Sequence, residues 1–66
     1  MLTLEAARVN NKLTQAQAAI KLGVSTYTVA NWESHKTYPN ALDLLRIEQV
    51  YGVRFDELIF LPRNDA

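Results

Sequence analysis

The feature that most restricts this chain is a turn. Thr14, with Gln17 three residues on, carries the signature of a capping box that opens a helix. Ala18, Ala19 and Leu22 then share one face, and Gly23 stands where a helix closes on a left-handed residue. Only Val24 intervenes before Ser25, a second N-cap, after which Val29 and Trp32 make the inward face of another helix ending near Ser34. Two helices joined so tightly cannot lie side by side as a hairpin. They have to cross steeply, which is the geometry of a helix-turn-helix.

The remaining punctuation divides the chain into five short segments. A first helix is expected from about Leu2 to Asn11, with Leu4, Ala7 and Arg8 at helical spacing and Asn10-Asn11 as its stop. After Ser34 a loop runs from His35 to Pro39, and Pro39 holds Tyr38 out of helical geometry. Asn40 caps a fourth helix whose inward stripe is read as Leu42, Leu45 and Val50, broadened by Leu44 and Ile47, and Gly52 closes it. A last short helix is expected from Phe55 to about Ile59, ended by Phe60-Leu61-Pro62. No segment alternates with period two for long enough to be a strand. The expected fold is all-α: a compact five-helix domain spanning residues 1–66, with its core over about 2–61 and a fraying polar tail at 62–66.

Composition narrows what such a fold can do. At 66 residues the chain excludes most enzyme folds, and a core of this size supplies about 3–5 kcal/mol, so a staple or a partner is expected. There is no cysteine, which removes disulfides, thiolate metal sites and a catalytic thiol. His35 is the sole histidine, and no paired carboxylates, nucleophile with base or phosphate-cradling glycine loop is present, so neither an enzyme nor a metal site is expected. No apolar run reaches the length of a membrane span, and Glu5 and Arg8 at the start do not suit a signal peptide, so a cytoplasmic protein is expected. Nothing points to a cofactor or a small-molecule ligand.

Seven basic residues balance seven acidic ones, and neutrality argues against nucleic-acid binding. The distribution softens this. Residues 1–38 carry Arg8, Lys12, Lys21 and Lys36 against Glu5 and Glu33, whereas residues 39–66 carry Arg46, Arg54 and Arg63 against Asp43, Glu48, Asp56, Glu57 and Asp65. The first half is therefore the one suited to a polyanion.

Leu13-Thr14-Gln15, Ala19, Leu22-Gly23-Val24-Ser25, Val29, Trp32-Glu33, Pro39, Leu45, Tyr51-Gly52-Val53 and Asp56-Glu57-Leu58, in this order and spacing, resemble the phage-repressor/Cro family of helix-turn-helix regulators. The resemblance covers roughly Leu4 to Leu58. It implies a five-helix protein that binds operator DNA as a symmetric dimer, with the helix at about residues 25–34 in the major groove. By that resemblance Gln15 holds a DNA phosphate, and Arg8 and Glu33 form a buried structural ion pair that orients the first and third helices. Thr26, Tyr27, Ala30 and Asn31 become the candidates for reading bases. Asn suits adenine, while Thr and Ala suit the thymine methyl. Ser25, Thr28, Lys36, Thr37, Tyr38 and Asn40 are placed nearer the DNA backbone. For Tyr27 the alternative is that it folds over the core, and for Thr28 that its hydroxyl serves the helix itself.

The chain departs from the family pattern at His35, where many relatives carry glycine, leaving open whether that turn is left-handed; a solvated histidine is expected there. Ile20 is apolar at a usually polar position. The run of Phe55 with Leu58, Ile59, Phe60 and Leu61 has more apolar side chains than one small core can take, and a dimer interface is expected there through Phe55, Ile59, Phe60 and Leu61, with Phe60 and Leu61 foremost. The function expected is a sequence-specific DNA-binding transcriptional regulator, a repressor, acting as a homodimer on a double-stranded pseudo-palindromic operator. The alternative is a helix-turn-helix protein-interaction module that does not bind DNA.

Overall fold

The computed structural model describes residues 1–60. Leu61 and the tail expected at 62–66 lie outside the described residues. In chain order the elements are β1 (Leu2–Thr3), α1 (Leu4–Asn10), α2 (Gln15–Leu22), α3 (Thr26–Glu33), α4 (Ala41–Tyr51), a 3₁₀ turn (Phe55–Glu57) and β2 (Leu58–Ile59).

Each helix begins where its cap residue dictates. The Thr3 hydroxyl accepts from the Ala6 amide at 3.0 Å, Thr14 from Gln17 at 3.1 Å, and Ser25 from Thr28 at 3.1 Å. At Thr14 the Gln17 side chain returns the bond, so the capping box is complete. Asn40 and Asp43 form a second one at the start of α4.

The turn between α2 and α3 closes in the Schellman pattern: the Val24 amide reaches the Ala19 carbonyl at 3.0 Å and the Gly23 amide reaches that of Ile20 at 3.3 Å. Gly23 sits at φ 74°, in the left-handed region where a Cβ is sterically opposed. Ala18, Ala19 and Leu22 of α2 are buried with Val29 and Trp32 of α3, and Leu4, Ala7, Ile47, Tyr51 and Leu58 complete the core. The small Ala19 side chain lets the two axes approach closely.

Among the described residues there are four α-helices, not five. The segment expected as a fifth helix is instead a single 3₁₀ turn followed by β2, which pairs in parallel with β1, Leu2 opposite Leu58 and Thr3 opposite Ile59. The first helix is correspondingly shorter than expected, because Thr3 caps it and Leu2 belongs to the ladder. This two-residue ladder ties the chain's beginning to the end of the described residues.

A second correction concerns α4. Ile47 and Tyr51, one helical turn apart, are its buried residues, and Val50 is half-buried, but Leu42 and Leu45 are exposed. Leu58, from the apolar run that follows Phe55, is in the core.

Replacing Gly23 with alanine is expected to destabilise the protein by about 1–2 kcal/mol, the cost of a Cβ in the left-handed region. The new Cβ would meet only the flexible Arg46 guanidinium, at 3.4 Å, so the penalty is conformational rather than steric crowding. Urea denaturation followed by circular dichroism measures it.

Candidate nucleic-acid interface

The site is built from the inside outward. Arg8 projects from α1 into the interior, where its Nε donates to Glu33 Oε2 at 2.7 Å and its Nη2 donates to Glu33 Oε1 at 3.1 Å. Its remaining Nη1 donates to the Leu13 carbonyl at 2.8 Å, which anchors the loop leading into α2. The two side chains are only 11% and 6% exposed. The bond to Glu33 raises the Arg8 pKa above its ordinary value, with burial opposing, so the guanidinium keeps its charge. One residue thus joins α1, the α1–α2 loop and the C-terminal end of α3.

Gln15 takes part in the same network. Its Nε2 donates to Glu33 Oε1 at 3.0 Å. Sequence reasoning placed Gln15 on a DNA phosphate and missed this bond, because nothing in linear spacing relates positions 15 and 33. An amide nitrogen carries two hydrogens. One is held by Glu33, and the second remains able to donate outward. Gln15 is also the first residue of α2, where the opening amides lack partners within the helix and favour an anion.

On α3 the candidates for base reading face outward to different degrees. Thr26 is exposed, Tyr27 is 76% exposed, and Ala30 and Asn31 are half-buried. Tyr27 therefore stands away from the core rather than folding over it. Ser25 and Thr28 are turned toward each other, their hydroxyl oxygens 2.9 Å apart, while the Ser25 oxygen also caps the Thr28 amide. That arrangement favours the helix-serving role for both.

The loop after α3 is held by the backbone. The Asn31 carbonyl accepts from the Lys36 amide at 2.9 Å and the Thr37 amide at 3.4 Å, leaving the exposed side chains of Lys36, Thr37 and Tyr38 free to face outward. At Asn40 the backbone amide donates to Asp43 Oδ2 at 3.1 Å and the side-chain oxygen accepts from the Asp43 amide at 2.8 Å. That leaves the Asn40 side-chain nitrogen to meet a phosphate.

His35 resolves differently from its expected solvated state. It adopts φ 64°, so the turn is left-handed without a glycine, and its Nδ1 lies 3.1 Å from the Phe60 carbonyl. A carbonyl only accepts, so Nδ1 carries the proton in this bond. The contact joins the end of α3 to the segment after β2. Of the residues expected at a dimer surface, Phe60 and Ile59 are half-buried, Phe60 against the core, Phe55 is exposed, and Leu61 lies outside the described residues.

With this geometry in place, a family model described as helix-turn-helix matches residues 4–58. The chain belongs to the phage-repressor/Cro type of helix-turn-helix transcription regulators. It is 41% identical over 56 residues to the HTH-type transcriptional activator BcrR of Enterococcus faecalis, an alignment covering 85% of this chain and 28% of that protein. The chain thus spans well under half the length of the curated relative it matches. No solved structure matches. Among the described residues no helix is long and apolar enough to cross a membrane.

Two outcomes follow from the buried network. Replacing Glu33 with alanine leaves the Arg8 charge without its partner and is expected to destabilise the fold by about 3–5 kcal/mol; an Arg8→Met, Glu33→Leu double replacement should recover much of that loss. Thermal denaturation of the single and double variants checks both.

Tyr51 supplies a separate outcome. Burial, with the Glu33 charge as a smaller contribution, raises its pKa to about 12 from an ordinary 10.0. The folded state therefore holds the phenol proton more tightly than the unfolded state. This contribution to stability is complete below pH 10 and is lost as pH rises toward 12. A Tyr51→Phe variant should show a shallower stability decline across that window.

Proposed function

We propose that this helix-turn-helix regulator binds double-stranded DNA sequence-specifically as a homodimer, with α3 in the major groove and residues 2–61 acting as one DNA-binding unit in the cytoplasm. A pseudo-palindromic operator suits such a dimer, its half-sites about 34 Å apart so that both copies meet one face of the duplex. The observation that carries this reading is the placement of α3. Its C-terminal end is clamped by the Arg8–Glu33 pair and Gln15, while Thr26 and Tyr27 stand outward on a helix without an exposed charge.

Roles then divide by chemistry. Thr26, Tyr27, Ala30 and Asn31 read base edges, where Asn31 suits the paired donor and acceptor of adenine. Gln15, through its second amide hydrogen, and Lys36, Thr37, Tyr38 and the Asn40 side chain hold phosphates, contacts that set register without reading sequence. Ser25 and Thr28 chiefly secure the first turn of α3 and lie at the edge of this set. No cofactor or small-molecule ligand enters the proposal.

Internal neutralisation of Arg8 by Glu33 leaves Lys12, Lys21 and Lys36 opposed by Glu5 alone in residues 1–38. This modest positive excess restrains non-specific affinity, so discrimination rests on fit and on pairing of two copies. Repression is the regulatory mode proposed, because occupying a site that polymerase needs requires no further contact. Activation, the mode in the name of the Enterococcus relative, requires a surface for the transcription machinery as well. A reporter placed under the selected operator reads which sign holds.

Selection of bound sequences from a random duplex pool tests the proposal. A symmetric consensus is expected, with affinity that falls as salt rises because phosphate binding releases counterions. Asn31→Ala should relax one base position in each half-site and reduce discrimination there by about 1–3 kcal/mol. A protein-interaction module would recover no consensus and show no salt-dependent binding, and a uniform loss of affinity in Asn31→Ala would remove its reading role.

A further inference from the structure

The outward face of α3 is uncharged and rich in carbon. At about 3.6 residues per turn, Thr26, Tyr27, Ala30 and Asn31 fall on one arc opposite the buried Val29 and Trp32, with Thr26 next to Ala30 and Tyr27 next to Asn31 along the helix. The one charged residue of α3 is Glu33, whose side chain is only 6% exposed. Both of its oxygens are taken, Oε2 by Arg8 Nε and Oε1 by Arg8 Nη2 and Gln15 Nε2.

In the major groove each base shows a distinct set of groups. Guanine presents two acceptors, matched by arginine or lysine, and cytosine presents an N4 donor, matched by a carboxylate. Adenine presents N7 beside its N6 donor, matched by Asn or Gln, and thymine alone carries a methyl group. The arc of α3 has no cation for guanine and no free carboxylate for cytosine. It offers the Asn31 amide, the methyl groups of Thr26 and Ala30, and the ring of Tyr27, which is 76% exposed. The hydroxyls of Thr26 and Tyr27 do not discriminate, since N7 is an acceptor on adenine and guanine alike. Discrimination therefore falls to the amide and to the carbon groups.

We propose that the half-site read by α3 consists of A·T pairs, recognised through thymine methyl groups and through adenine. The proposal rests on the reading of the protein as a DNA-binding regulator and names the class of site it selects.

The free cations stand elsewhere. Lys12 lies in the α1–α2 turn and Lys21 in the last turn of α2. Lys36 follows the far end of α3, about 12 Å along the axis from its start, and helix-turn-helix proteins read bases from the N-terminal part of this helix. Arg46, on α4, is directed at the Leu22 carbonyl at 3.5 Å, and Arg54 pairs with Asp56. None of these charges lies on the arc. Asn31 is in turn held by its backbone, its carbonyl accepting from the Lys36 amide at 2.9 Å, the Thr37 amide at 3.4 Å and the Ser34 hydroxyl at 3.3 Å.

Selection from a random duplex pool, followed by fluorescence anisotropy on duplexes in which uracil replaces thymine, tests this. Uracil keeps the pairing and lacks only the methyl group. The strict positions that Tyr27→Ala or Asn31→Ala relaxes should be A·T. Uracil at a thymine there should weaken binding about fourfold per methyl, the equivalent of about 0.8 kcal/mol for one buried carbon, with the salt dependence unchanged. Thr26→Ser, which removes one methyl from an exposed residue and keeps the hydroxyl, should lose the uracil effect at one position of each half-site. G·C pairs at the positions these replacements relax, equal affinity for thymine and uracil duplexes, or a uracil effect that Thr26→Ser leaves intact at every position overturns the proposal while the DNA reading stands. Absence of both a consensus and salt-dependent binding overturns the DNA reading and this proposal with it.

Discussion

The placement of α3 depends on one buried ion pair. Arg8 reaches from α1 to Glu33 at the end of α3 with two bonds and to the Leu13 carbonyl with a third, and Gln15 completes the carboxylate. Desolvation of two charges offsets most of their attraction, so a pair of this kind contributes little to net stability. Its consequence is directional. A bidentate guanidinium–carboxylate contact tolerates little rotation, and three segments distant in sequence are held in one orientation. The apolar core beneath, with Val29, Trp32 and Leu22, resists expansion but would accept small slides that these directional bonds oppose.

That clamp also links fold to charge. Among four basic residues in the first 38, the one placed at the centre of the structure is neutralised internally. The positive excess left for a polyanion lies at the surface, in the α1–α2 turn, on α2 and in the loop after α3. Neutral overall composition and a surface suited to DNA are therefore compatible. Gln15 stands at the junction of the two levels, with one hydrogen of its amide used inside the fold and the other directed by that bond.

Much of this was legible in local chemistry. Thr14, Ser25, Asn40, Gly23 and Gly52 act where their side chains or lack of one predict, because capping and left-handed closure depend on a few neighbouring residues. What local chemistry could not show was pairing across the chain. A two-residue strand has no periodicity to detect, so the Leu2–Thr3 ladder with Leu58–Ile59 was read as helix at both ends. Leu42 and Leu45 follow a helical spacing as good as that of Ile47 and Tyr51. Only the positions of α2 and the 3₁₀ turn determine which stripe faces inward. His35 shows the same limit, since its left-handed backbone is accompanied by a bond to Phe60, far along the chain.

By itself the sequence determined that two capped helices meet at Gly23 with too little chain between them to lie antiparallel. That crossing is a consequence of nearest-neighbour sterics and capping, whereas the Arg8–Glu33 pair is what the resemblance to helix-turn-helix regulators implies. Tertiary structure alone decided that the C-terminal segment closes as a 3₁₀ turn and strand, that Gln15 supports Glu33, and that Leu42, Leu45 and Phe55 remain outside the core. In each case the deciding partner lies many residues away, and a side chain's surroundings, unlike its backbone preference, exist only once those distant segments have packed.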